Sequence, residues 1–169
     1  IVNAINIVMK AVPSKTTMSI LECILIDAST GEIKLTGNDM ELGIETKVEG
    51  EILEHGKIAL DAKLFSEITR RLSSQNASIT IESDQNFNTI INCENSTFNI
   101  QGRDGEEFSY LPYFEKDKYI CLSQFTLKEV IQQTISSISP NDSNKMMAGE
   151  LFEVYENQLK PVTLDGHAL

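Results

Sequence analysis

Two stretches of this chain, about 126 residues apart, run through the same succession of signals: helix, polar loop, strand pair, and a turn containing Asp. Ile24-Leu25-Ile26, Ile33-Lys34 and Asp39 align in order with Leu151-Phe152-Glu153, Leu159-Lys160 and Asp165 after a one-residue gap. Solenoid repeats run at roughly 20–50 residues, so this period belongs to something larger. It predicts a duplicated domain. A length of 169 residues fits one large domain or one and a half small ones, and the repeat points to a second copy that is cut short.

The first copy carries most of the pattern. Ile1, Ile5, Val8 and Val12 fall at helical spacing, and Pro13 ends that helix. Ile20–Ala28 reads as a buried strand and Glu32–Thr36 as its partner across a Ser29-Thr30-Gly31 turn. Met40–Val48 alternates again, and Lys57–Leu60 is one more strand. Asp61 is the expected N-cap of a helix over Ala62–Leu72, with Leu64, Phe65, Ile68 and Leu72 as its apolar stripe. Strands at Ala77–Glu82, Phe87–Cys93 and Thr97–Gln101 follow, and the charged segment Arg103–Lys118 reads as an interdomain connector. Ser123 or Thr126 caps a third helix to about Ser139, with Leu127, Val130, Ile131, Thr134, Ile135 and Ile138 facing inward. Met146–Tyr155 and Leu159–Leu164 read as a hairpin. The expected domains are 1–115 and 116–169.

Composition narrows the function classes. No apolar run approaches the roughly 20 residues of a membrane span. The start at Ile1-Val2-Asn3-Ala4 shows no signal peptide and looks internal to a longer sequence. Cys23, Cys93 and Cys121 are odd in number, far apart and set in apolar runs, so they read as buried reduced thiols of a cytoplasmic protein. His55 and His167 lack metal-ligand spacing, and there is neither a phosphate-binding glycine loop nor a nucleophile elbow. No catalytic residue, metal or cofactor is expected.

A net charge of −11 looks hostile to nucleic acid, but net charge does not locate charges. Asn3, Asn6 and Lys10 form a stripe without negative charge, and Lys63 shares a face with Arg70, diluted by Glu67. Lys128 and Gln132 make a shorter stripe. Taken alone, such stripes are what any solvated helix carries.

Taken together, the motifs match a family. Leu35-Thr36-Gly37-Asn38-Asp39-Met40-Glu41, then Gly56-Lys57-Ile58-Ala59-Leu60-Asp61-Ala62-Lys63-Leu64-Phe65, resemble the first domain of bacterial DNA sliding clamps, the beta subunits of DNA polymerase III. So do Phe98-Asn99-Ile100-Gln101-Gly102, Glu106-Glu107-Phe108 and Leu111-Pro112. Gly149-Glu150-Leu151-Phe152-Glu153 and Asp165-Gly166-His167 are similar to the second domain's hairpin and its D-G-H-R-L segment.

The resemblance implies an α+β clamp fold of repeated domains, each with two helices packed on curved antiparallel sheets. It implies a head-to-tail homodimeric ring around double-stranded DNA, helices lining the hole, and a non-catalytic processivity role that docks polymerase and clamp loader. By position it implies DNA contacts at Lys15, Arg70, Asn141 and Lys145, and with helices lining the hole the helix stripes add Lys10 and Lys63. It also implies one wall of a partner-peptide pocket at Met147, Leu164, Gly166, His167 and Leu169. Ala168 and Asn144 depart from the family, which usually has Arg at both places, and the domain's first strand is missing before Ile1. The competing reading is a truncated protein-interaction module that no longer encircles DNA; a nucleic-acid enzyme is a third.

Overall fold

The computed structural model of the chain describes residues 1–72, 78–94, 96–108, 111, 119–138, 148–155 and 158–163. Contacts divide the chain into two units, Ile1–Tyr113 and Phe114–Leu169.

The first unit opens with helix α1 (Val2–Val8), extended by a 3-10 turn over Met9–Ala11. Strands β1 (Cys23–Asp27), β2 (Ile33–Asn38), β3 (Gly43–Val48) and β4 (Lys57–Asp61) follow, and helix α2 (Ala62–Leu72) starts directly from β4. Next come β5 (Ile79–Ser83), β6 (Asn88–Cys93), β7 (Ser96–Gln101) and the short β8 (Arg103–Asp104). One antiparallel sheet has the order β3-β2-β1-β4-β8, the other β5-β6-β7.

The run at β1 is buried on both faces because its sheet is covered on both sides. Ile24 and Ile26 join Leu35, Ile58 and Leu60 in the main core with Ile5 and Val8 of α1 and Phe65 and Ile68 of α2. Ile91, Cys93 and Ile100 of the second sheet close the same core. Cys23 and Leu25 point the other way, onto Ala59 and Phe108.

Several expectations need correction. The first helix is α-helical only to Val8, because the chain tightens into the 3-10 turn before Pro13. The strand expected from Ile20 begins at Cys23, after a 3-10 turn over Ser19–Glu22. The strand expected from Met40 begins at Gly43: Asp39 Oδ1 accepts the N–H groups of Glu41 and Leu42, bending the chain, and Met40 takes φ 76°.

Leu64 is 43% exposed and outside the apolar stripe. It lies ~100° round the helix from Phe65, away from the buried side. Ser66 and Thr69 are buried in its place, the Thr69 hydroxyl donating to the Phe65 carbonyl at 2.9 Å.

The start of the expected connector is instead a strap on the sheet. Arg103 and Asp104 pair with β4, Phe108 is fully buried beyond it, and Leu111 lies against Gly43 of β3. The charges of Glu106 and Glu107 mask the two inward apolar residues in any composition window.

The second unit has α3 (Gln124–Thr134), capped by Ser123 Oγ accepting the Thr126 N–H at 3.0 Å, then a 3-10 turn over Ile135–Ser137. An antiparallel hairpin of β9 (Leu151–Tyr155) and β10 (Gln158–Val162) follows. Both units thus run helix, 3-10 turn, antiparallel hairpin, and the turns at Met9–Ala11 and Ile135–Ser137 are 126 residues apart. The Thr134 hydroxyl lies 2.6 Å from Glu150 Oε1, tying the helix end to the residue before the hairpin. Leu127, Val130, Ile131, Thr134 and Ile138 are half-buried on the expected side, but Ile135 is 56% exposed because the helix tightens there. Cys121 is exposed, against expectation; it precedes the helix cap, outside any strand.

Candidate nucleic-acid interface

Helices α1 and α2 lie side by side on one face of the five-stranded sheet. α1 touches β2 and β3, α2 touches β1 and β4, and the helices touch each other. Their apolar sides are consumed by the core, so their remaining sides face away from it.

On α1 and its extension that outward side carries Asn3, Asn6, Ile7 and Lys10, all exposed. Lys10 sits in the last turn, where the carbonyl end of the helix favours a cation.

α2 is anchored at its start by Asp61, whose Oδ1 accepts the Leu64 N–H at 2.8 Å. Lys63 and Arg70 are exposed and seven residues apart, two helical turns, so they share a side. Arg70 Nη2 donates to the buried Ser66 Oγ at 3.0 Å, which ties the end of the guanidinium to the helix. Arg71 is exposed beside it, and Glu67 is exposed between Lys63 and Arg70.

Lys15 is exposed in the turn after Pro13. A small cavity of about 70 Å³ lined by Val12, Pro13, Ser14, Glu22, Asp61 and Lys63 joins that turn to the start of α2. Lys63 therefore adjoins the loop that carries Lys15. Glu22 and Asp61 border this end, Asp61 already committed to its cap.

Charge is unevenly distributed over the chain. Residues 1–12 and 62–72 hold four cations, Lys10, Lys63, Arg70 and Arg71, against one acid, Glu67, inside a chain of net charge −11. The rest of the surface is correspondingly more acidic. An open cavity of about 630 Å³ on the second sheet, for example, is lined by Glu82 and Asp84.

Among the described residues, the groups with displaced titration belong to strands and turns and not to α1 or α2. Backbone N–H groups of Leu42 and Glu41 hold the Asp39 carboxyl below the usual range. Asn88 does the same for Asp84, and Lys47 for Glu32. Burial pushes the Cys23 thiol up to about 11.

The structure thus gathers Lys10, Lys63 and Arg70 on the two adjacent helices, with Lys15 at one end. Asn141 and Lys145 lie outside the described residues, as do Met147, Leu164, Gly166, His167 and Leu169. Arg71 was absent from the expected set; its adjacency to Arg70 was the available signal. Among the described residues no three His, Cys, Asp or Glu side chains cluster as a metal site, and no helix is long and apolar enough to cross a membrane.

Such a surface can attract phosphate through its charge.

Comparison with known proteins extends this geometry. The family model of the DNA polymerase III beta subunit, N-terminal domain, matches residues 1–112. The beta sliding clamp of Halalkalibacterium halodurans is 36% identical over 176 residues, covering 99% of this chain and 46% of that protein. The crystal structure of a putative DNA polymerase III beta subunit from Eubacterium rectale aligns with TM-score 0.92 and 62% identity, over 98% of this chain and 45% of the other. The sliding clamp structure from Bacillus subtilis aligns with TM-score 0.90 and 32% identity, over 98% of this chain and 45% of the other. The chain spans about half the length of the relatives it matches.

Proposed function

The chain belongs to the DNA polymerase III beta-subunit family, and from that premise we propose that it is the portion of a sliding clamp whose α1 and α2 face duplex DNA. The observation that carries this reading is the local excess of cations on two adjacent helices of an otherwise acidic chain. An acidic exterior repels phosphate while the helix side attracts it, and contacts without base readout suit a protein that slides.

In this reading unit 1 is the first clamp domain and unit 2 the beginning of the second. The protein works without catalysis, as a processivity factor closing head to tail with a second copy. Lys10, Lys15, Lys63 and Arg70 contact phosphate, with Asn141 and Lys145 in the second domain. Met147, Leu164, Gly166, His167 and Leu169 form one wall of a pocket for short peptides of the polymerase, the clamp loader and other partners. The support for that wall is the likeness of Asp165-Gly166-His167 to the family's segment. The work is done in the cytoplasm, at the replication fork.

Charge reversal tests the DNA-facing side. The double variant Lys63→Glu and Arg70→Glu is expected to abolish measurable binding to a short duplex at low salt and leave the fold intact by circular dichroism. Non-specific affinities of this kind lie at roughly 10⁻⁴ to 10⁻⁶ M. Undiminished binding by a folded double variant would favour an interaction module that does not use this face for DNA.

A further inference from the structure

Glu67 occupies an unexpected place. It is the one acid in residues 1–12 and 62–72, and it stands on the exposed side of α2, four residues after Lys63 and three before Arg70. Both spacings make neighbours on a helix surface. The core makes no demand on Glu67: Ala62, Phe65, Ser66, Ile68, Thr69 and Leu72 supply the buried side. The cap makes none either, since Asp61 accepts the Leu64 N–H. Nor does the helix dipole, which favours an acid near the N-terminus, whereas Glu67 lies in the middle.

We propose that Glu67 sets the strength of the DNA-facing surface: its carboxylate lowers the potential between Lys63 and Arg70, so that phosphates are attracted but not held. This rests on the reading of α1 and α2 as the DNA side and adds a residue that limits affinity to those that supply it.

A surface that must move along a duplex works against itself if each phosphate contact is strong, because every step breaks the contacts it has made. On α1 the restraint is built from neutral groups, with Asn3, Asn6 and Ile7 beside Lys10. On α2, where Lys63, Arg70 and Arg71 crowd within three turns, a negative charge among them does the same.

The test is a duplex titration at low salt, followed by fluorescence anisotropy, with the whole chain and three variants. Glu67→Gln keeps the shape and removes the charge. It is expected to tighten binding roughly two- to fivefold, the range of an exposed charge pair, and the gain is expected to shrink above about 0.15 M salt, where screening is short-ranged. Glu67→Asp keeps the charge and is expected to bind like the parent. Lys63→Gln is expected to weaken binding and to reduce the slope of log K against log salt by about 1.

If Lys63→Gln weakens binding while Glu67→Gln does not tighten it, the role of Glu67 is overturned and the DNA-facing side stands. If Lys63→Gln leaves binding unchanged, or no protein binds at low salt, the reading of the face falls and this inference with it. A salt-independent gain for Glu67→Gln would mark a change of helix structure, not of potential, and would also overturn it.

Discussion

The carbonyl oxygen of Val8 lies directly over the α-carbon of Gly37, at a separation that leaves no room for a β-carbon between them. The end of α1 is thereby pressed onto β2, and the position of Lys10, two residues on, follows from that contact.

Gly37→Ala is expected to destabilise the protein by about 1–3 kcal/mol, because the atom opposing the new methyl is main chain and can yield only if α1 shifts. Denaturant unfolding of the two proteins measures this. A stability within 0.5 kcal/mol of the parent, about the spread of an ordinary surface change, would mean that α1 is free to move off β2.

The cysteines divide by environment. Cys23 and Cys93 are buried and Cys121 is exposed. Burial also holds Cys23 protonated, its pKa pushed up to about 11, and it is the thiolate that reacts. At pH 8, one thiol per native chain is therefore expected to alkylate quickly and three after unfolding. Phe108→Ala removes the cover over Cys23 and is expected to cost about 3–5 kcal/mol and to make a second thiol reactive. Unchanged labelling in that variant would show that Phe108 does not protect the sheet.

The Asp39 turn makes a pH-dependent contribution of known sign. Its folded pKa is depressed by the Leu42 and Glu41 N–H groups, so its stabilisation is fully present above the unfolded value, about 3.9. It is lost as pH falls below that value toward the folded pKa. Asp84, held by Asn88, behaves alike. Unfolding measured at pH 6 and at pH 3 should show a smaller loss for Asp39→Asn than for the parent. An equal loss would place the acid sensitivity elsewhere.

Where a single residue type has one strong local preference, the sequence reading and the structure agree. Asp61 before an apolar helix pattern is an N-cap in both, and so is Ser123. Alternation marked β3, whose two faces differ in burial, whereas β1 showed as a continuous apolar run because both of its faces are covered. The misses share a cause: tertiary contact overriding local pattern. The apolar run at Ile20 became a 3-10 turn, and Leu64 lost its place to Ser66 and Thr69. Phe108 was hidden by its acidic neighbours. The cationic stripe was legible because seven-residue spacing survives any small change in helix boundary. That α1 and α2 are neighbours, which turns two weak stripes into one surface, depends on packing that spacing cannot report.

The most direct measurement of the central claim is a map of backbone amide shifts as a short duplex is titrated into the chain at low salt. Perturbations are predicted to concentrate at Asn3, Asn6, Lys10, Lys63, Glu67, Arg70 and Arg71 and to fade as salt rises. Perturbations centred instead on Lys34, Lys47 and Lys57 of the first sheet, or none at concentrations near 1 mM, above the weak end of non-specific affinity at roughly 10⁻⁴ M, would contradict it.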